Sequence, residues 1–252
     1  MWIVRAAGTA LVILAAVAGV HQSASAGALD RLTFYTEHYP PNQYREDGKL
    51  KGALIEIVSA VFARADTDLT RSDIRMVPWS RGYQRALNQP NSVLFGTVRT
   101  ARREDKFHWV GPLAPTAQVV IGPEDAGHDP ESITYFKDFT TITVRDDVAE
   151  QLLLEGGLNR RDLLSVHDPE LIPRILQSDR AEFWAYGRRI AFHILSQAGI
   201  ADAYEPVHTL QEGALYFAVN RDTDSEAITA LREALAAVKR SGKHAEILAE
   251  YR

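Results

Sequence analysis

The sequence predicts an α/β protein of two units with a ligand cleft between them. Three observations predict it. Apolar segments at strand spacing alternate with helical segments over 32–95 and again over 118–198, and such alternation builds parallel sheets covered by helices. An arginine-bearing turn, Thr97-Val98-Arg99-Thr100-Ala101-Arg102-Arg103, leaves a strand at Phe95, at the strand end where ligands of open α/β sheets collect. A last apolar strand, 214–219, is followed by two helices that close the chain.

The first residues read as a leader. Arg5 is the lone formal charge before the apolar run 6–20, and Ser23-Ala24-Ser25-Ala26 puts small residues where a signal peptidase reads. Segment 1–26 is therefore expected to be a signal peptide cut after Ala26, with the mature chain exported to the periplasm. The run is shorter than the ~20 apolar residues a spanning helix requires.

The expected elements follow in order. Strand 32–36 alternates and is broken by Tyr39-Pro40-Pro41-Asn42. After Gly52, Leu54, Ile57, Val58, Val61 and Phe62 fall on one helical face. A short strand at 74–77 stops at Pro78, and a helix spans 80–88 with Tyr83, Ala86 and Leu87 inward. Strand 93–95, a short charged helix and strand 108–110 complete the first unit. The second reads as strand 118–121, polar loop 124–132, strand 140–144 and helix 147–155. Helix 168–177, strand 182–186 and helix 188–198 follow, the last ended by Gly199. The closing helices are 225–240 and 244–251.

Composition excludes several classes. The chain has 28 basic and 33 acidic residues, a net charge of −5, without a basic stripe, so nucleic acid is not an expected partner. It has no Cys, which removes disulfides, lipid attachment at cysteine and thiol nucleophiles. Its eight His form no H-x-x-x-H cluster, so no metal is expected, and no motif calls for a cofactor.

The candidate site residues come from strand ends and rigid loops. Arg99 and Arg103 beside a helix start suit a carboxylate, through free amides and a guanidinium fork. Arg103 also reads as a surface arginine, and Arg99 as a salt-bridge brace. Tyr39, held by two prolines, and Trp79, after Pro78, read either as platforms for a ligand or as packed aromatics. Thr97 can donate a hydroxyl to a ligand, while Thr100 reads as a helix cap. Asp147 is either a ligand group or the cap of the helix it precedes.

At these residues the chain resembles the family 3 extracellular solute-binding proteins, the periplasmic receptors of polar amino-acid ABC importers. Tyr39-Pro40-Pro41, Gly48-Lys49-Leu50-Lys51-Gly52 with Glu56, Pro78-Trp79, Thr100-Ala101-Arg102-Arg103-Glu104 and the closing GKHAEILAEY carry the resemblance in order. It implies the type 2 periplasmic binding fold, with two α/β lobes joined by two crossover strands. Lobe one would be 29–115 plus 216–252, and lobe two 116–215. It implies Arg103 as the grip on a ligand α-carboxylate and Tyr39 and Trp79 as the aromatic sandwich. Val98 stands where relatives often carry a hydroxyl, and Asp146-Asp147-Val148-Ala149-Glu150 where they carry "G-T-T-x-E". Tyr186 and Gly187 stand where an acid would hold an α-ammonium, which leaves Asp147 to supply that charge. The implied function is a monomeric receptor of a small polar carboxylated solute, with no enzymatic activity and a membrane permease as partner. A periplasmic dehydratase on the same fold and a sensory module acting in trans are the alternatives.

Overall fold

The computed structural model describes residues 27–251 apart from 66, 125 and 129. The expected signal peptide, 1–26, lies outside the described residues. The chain runs β1 (Thr33–Thr36), β2 (Tyr44–Glu46), β3 (Lys49–Lys51), α1 (Ala53–Phe62), β4 (Arg75–Met76), α2 (Trp79–Asn88), β5 (Ser92–Val98) and β6 (Phe107–Pro123). It continues β7 (Thr141–Val144), α3 (Val148–Glu155), β8 (Leu163–Val166), α4 (Ile172–Leu176), β9 (Phe183–Gly187) and α5 (Arg188–Gln197). The last elements are β10 (Tyr204–Asn220), α6 (Ser225–Arg240) and α7 (Lys243–Glu250).

The α/β class holds. Eight strands form one sheet in the order β4-β1-β5-β10-β6-β9-β7-β8, and β2 and β3 form a separate hairpin. The outer strands pair in parallel on both flanks, β4-β1-β5 at one end and β9-β7-β8 at the other. The centre is antiparallel: β10 pairs with β5 and with β6, and β6 pairs with β9.

Two central strands depart from expectation. The short strands expected at 108–110 and 118–121 are one strand of 17 residues, β6. The strand expected at 214–219 is the end of another of 17 residues, β10. They pair with each other from Tyr204↔Pro123 to Asn220↔Phe107, with register shifts that absorb interruptions such as Pro206. A proline cannot donate to a ladder, so such strands need bulges to stay paired.

Burial divides the apolar core into bodies flanking these strands. In one, α1 buries Leu54, Ile57, Val58 and Val61 completely against α6, which contributes Leu231 and Leu235. Each such side chain contributes about 1.5–3 kcal/mol by leaving water. Phe34 on β1 lies edge-on to Phe62 and Phe217, at 4.8 and 6.2 Å between ring centres. In another body Ile142, Val144, Trp184, Tyr186, Ile190 and Ile194 pack β7 and β9 against α5. The C-terminal helices thus complete the core of the N-terminal third, while residues from β7 to α5 build their own.

Candidate functional site

The carboxyl ends of β1, β5 and β7 and the starts of α2 and α3 meet in one place. β1 delivers Glu37 and Tyr39, Pro78 starts α2 at Trp79, and the short 3-10 helix after β5 carries Arg103. β7 ends in the turn Arg145-Asp146-Asp147 that opens α3. Asp146 has φ +60°, a left-handed conformation. Glu150 holds this turn by accepting the Asp146 amide at 2.8 Å and a hydroxyl hydrogen bond from Ser165.

Arg103 is fully buried. Its guanidinium carbon lies 5.2 Å from the centre of the Trp79 ring and 5.1 Å from that of Tyr83. Trp79 and Tyr83 are themselves stacked, 5.5 Å apart. The guanidinium donates from Nε to Gln151 Oε1 at 3.2 Å, from Nη1 to the Val98 carbonyl at 3.4 Å and from Nη2 to the Asp146 carbonyl at 3.3 Å. All three acceptors are uncharged, so the cation has no carboxylate hydrogen-bonded to it among the described residues.

The Asp146 carbonyl is a shared acceptor. It also receives the Trp79 indole N–H and the Gln151 amide, each at 3.0 Å. Trp79 and Arg103 come from one side of the crossover strands, and Asp146 and Gln151 from the other. Two of the three donors on this oxygen, Trp79 and Arg103, therefore latch the two sides together, while Gln151 braces the acceptor from its own side.

Two buried acids face this cation. Burial pushes the Glu37 carboxyl well above the usual carboxylate range; Asp147 adds to the rise and Arg103 opposes it. Asp147 is raised by burial too, while Arg103 and the amides of Ala149 and Val148 pull it down. Burial lowers the Arg103 pKa, with Asp147 the main group opposing, but an arginine stays charged. Taking a charge out of water is costly unless it is paired, and the three groups offset one another's burial in part.

Tyr39 and Gly187 are fitted to each other. The Tyr39 ring is buried and lies edge-on to Tyr186, with 5.6 Å between centres. A Cβ at 187 would run into the Tyr39 hydroxyl. Tyr39 thus fills the space in front of β9 that an acidic side chain at 187 would need. The Tyr186 hydroxyl is buried without a hydrogen-bond partner among the described residues.

The other expected residues are placed as follows. Asp147 both caps α3, accepting the Ala149 amide at 3.1 Å, and sits buried beside Arg103. Thr97 is turned into the core and donates to the Leu94 carbonyl at 3.1 Å. Arg99 does not join the group: its side chain is exposed, paired with Glu104, and lies over the Tyr216 ring at 5.7 Å. In front of Trp79 a cavity of about 450 Å³ opens, lined by Glu37, His38, Val144, His167 and Asp168. No cluster suited to a metal ion occurs among the described residues. Sequence reasoning missed Glu37, Tyr83 and Gln151. The signal for Glu37 was present, since it is the first residue past an expected strand end.

The pattern of the bacterial extracellular solute-binding proteins, family 3, matches residues 32–252. No curated protein matches the chain. Among solved structures, a histidine kinase sensor domain with similarity to periplasmic binding proteins superposes with a TM-score of 0.76 at 19% identity, covering 88% of this chain and 97% of that one. The arginine-, lysine-, histidine-binding protein ArtJ from Geobacillus stearothermophilus superposes with a TM-score of 0.74 at 14% identity, covering 87% and 94%. An ABC uptake transporter substrate-binding protein from Streptococcus pneumoniae with bound histidine gives 0.73 at 14% identity, covering 89% and 93%. These likenesses show the two-lobe periplasmic binding fold.

Proposed function

The chain belongs to the bacterial extracellular solute-binding proteins, family 3, and we propose that it captures a small polar carboxylated solute, an amino acid or a related compound, for an ABC importer. Lobe one, 29–115 with 216–252, and lobe two, 116–215, close over the solute by hinge motion at β6 and β10. Segment 1–26 directs the chain to the periplasm and is removed after Ala26. No helix among the described residues is long and apolar enough to cross a membrane.

One observation carries this reading: the buried Arg103 guanidinium, held between Trp79 and Tyr83, bonds only to uncharged oxygens. A solute carboxylate displacing the Asp146 and Val98 carbonyls gives it the partner it lacks. A charge-assisted hydrogen bond of this kind contributes about 1.5–3 kcal/mol net. Glu37 and Asp147 then receive the solute's cationic end in place of an acid at 187. Trp79 and Tyr39 wall the cleft. Thr97 and Arg99, turned elsewhere, take no part.

A thermal-shift screen of amino acids, amines and small carboxylates tests it. A true ligand at a hundred times its dissociation constant adds about 2.7 kcal/mol of stability. Arg103→Gln, checked for folding by circular dichroism, is expected to abolish that shift. A screen without any stabilising carboxylate, or a folded Arg103→Gln that binds like wild type, overturns the reading.

A further inference from the structure

We propose that the cavity in front of Trp79 holds a bulky apolar side chain, with Glu37 as the partner of the solute's ammonium group, so that the captured solute is an apolar amino acid such as phenylalanine. This rests on the reading of Arg103 as the grip on the solute carboxylate, and it adds what the rest of the solute is. The cavity has a volume of about 450 Å³, within the range of small-molecule sites.

The polar floor of this cavity is one side chain. Glu37 follows β1, lines the cavity and is only 9% exposed. Its carboxyl group makes no hydrogen bond and no ion pair among the described residues. Nor are its oxygens sealed from solvent, so a guest in the cavity meets them. A buried acid that merely completes a core finds a donor. A carboxylate this far from water, without one, asks for a cation. Arg103 is close enough to act on Glu37 through space, as the two ends of a single amino-acid zwitterion require.

The walls supply no second anchor. They come from Met76, Val77, Trp79 and Val144, and among the described residues no lysine or arginine lines the cavity. His38, His167 and Asp168 stand at the mouth and are exposed. Asp168 is already engaged there, accepting the Glu170 amide at 3.0 Å. An anionic side chain entering the cavity meets only acids and histidines. A neutral polar one loses water between these walls without gaining a partner. A large apolar one gains with every Å² it buries, and the Trp79 ring suits a flat aromatic body.

Calorimetric titration of the mature chain with L-phenylalanine tests this. We expect saturable one-to-one binding with Kd of about 1–100 μM. L-Glutamine, L-arginine and L-glutamate are each expected to bind about tenfold more weakly or worse. 3-Phenylpropionate keeps the ring and the carboxylate and lacks the ammonium group, and it is expected to lose about tenfold as well. Glu37→Gln, checked by circular dichroism, is expected to weaken phenylalanine by about tenfold and to leave 3-phenylpropionate unchanged, a split that a merely structural role would not produce. Phenylalanine without saturation, glutamine or arginine binding more tightly than phenylalanine, or 3-phenylpropionate binding as tightly would each overturn the inference and leave the Arg103 grip to its own variant. Phenethylamine, with the ring and the ammonium group alone, separates the two readings: affinity equal to that of phenylalanine would overturn the Arg103 grip and support Glu37 as the ammonium partner.

Discussion

The indole N–H of Trp79 donates to the carbonyl of Asp146 at 3.0 Å, tying the start of α2 to the turn that opens α3. Pro78 places the indole and the left-handed Asp146 presents the oxygen. Replacing Trp79 by Phe keeps a ring over Arg103 and deletes this donor. Arg103 and Gln151 still serve the carbonyl, so we expect a loss of about 1 kcal/mol in urea unfolding. An unchanged midpoint and slope would show that the bond does not hold the two sides together.

Gly187→Ala sets a methyl group against the Tyr39 hydroxyl. Overpacking of this kind typically costs about 1–3 kcal/mol. Tyr39→Phe removes the oxygen, so the double variant is expected to regain most of that loss. Chemical denaturation of the four proteins gives the coupling energy directly, and a value near zero rejects the fit between the two residues.

Glu37 and Asp147 carry raised pKa values in the folded protein. The folded chain therefore retains protons that the unfolded chain releases from about pH 4 upward. Their contribution to stability is present at low pH, falls as pH rises through the folded-state values, and then levels off. Glu37→Gln removes the larger part of this slope. The difference between wild-type and variant unfolding free energies, measured from pH 4 to pH 8, should thus favour the variant increasingly with pH. A constant difference would place the Glu37 carboxyl in the ordinary range.

Arg99 and Arg103 are expected to separate cleanly. Arg99→Ala removes an exposed pair with Glu104 and should change solute affinity less than about twofold. Arg103→Gln should cost at least about tenfold, in keeping with a lost charged hydrogen bond. Titration of the ligand found by thermal shift checks both, and equal losses would return Arg99 to the site.

Elements with a single buried face were legible in the sequence. The apolar stripe of α1 and that of α6 gave their helices within a residue or two, because burial on one side writes a helical period into the chain. β10 was legible only over its final residues, since the stretch before them lies half-buried or exposed on both faces and carries no alternation. β6 was split because Gly111, Pro112 and Pro115 read as breakers, and only its pairing with β10 keeps it continuous. β8 is half-buried throughout and was missed. Arg103, Trp79, Tyr39 and Asp147, expected from a strand end, prolines and the family resemblance, lie in one buried neighbourhood. Glu37 was not expected there, because an acid after a strand reads as solvated. Arg99 lies outside that neighbourhood, paired with Glu104 five residues away, and a pattern of charges does not say which arginine turns outward.

The placement of α6 and α7 against α1 has a consequence for how the protein comes into being. Leu231, Leu235 and Ile247 belong to the same core as Leu54 and Val58, so the N-terminal third has no finished interior until α6 and α7 have been made. A nascent chain that has not yet made these two helices keeps that apolar face wet, so the N-terminal third settles only when α6 and α7 reach it.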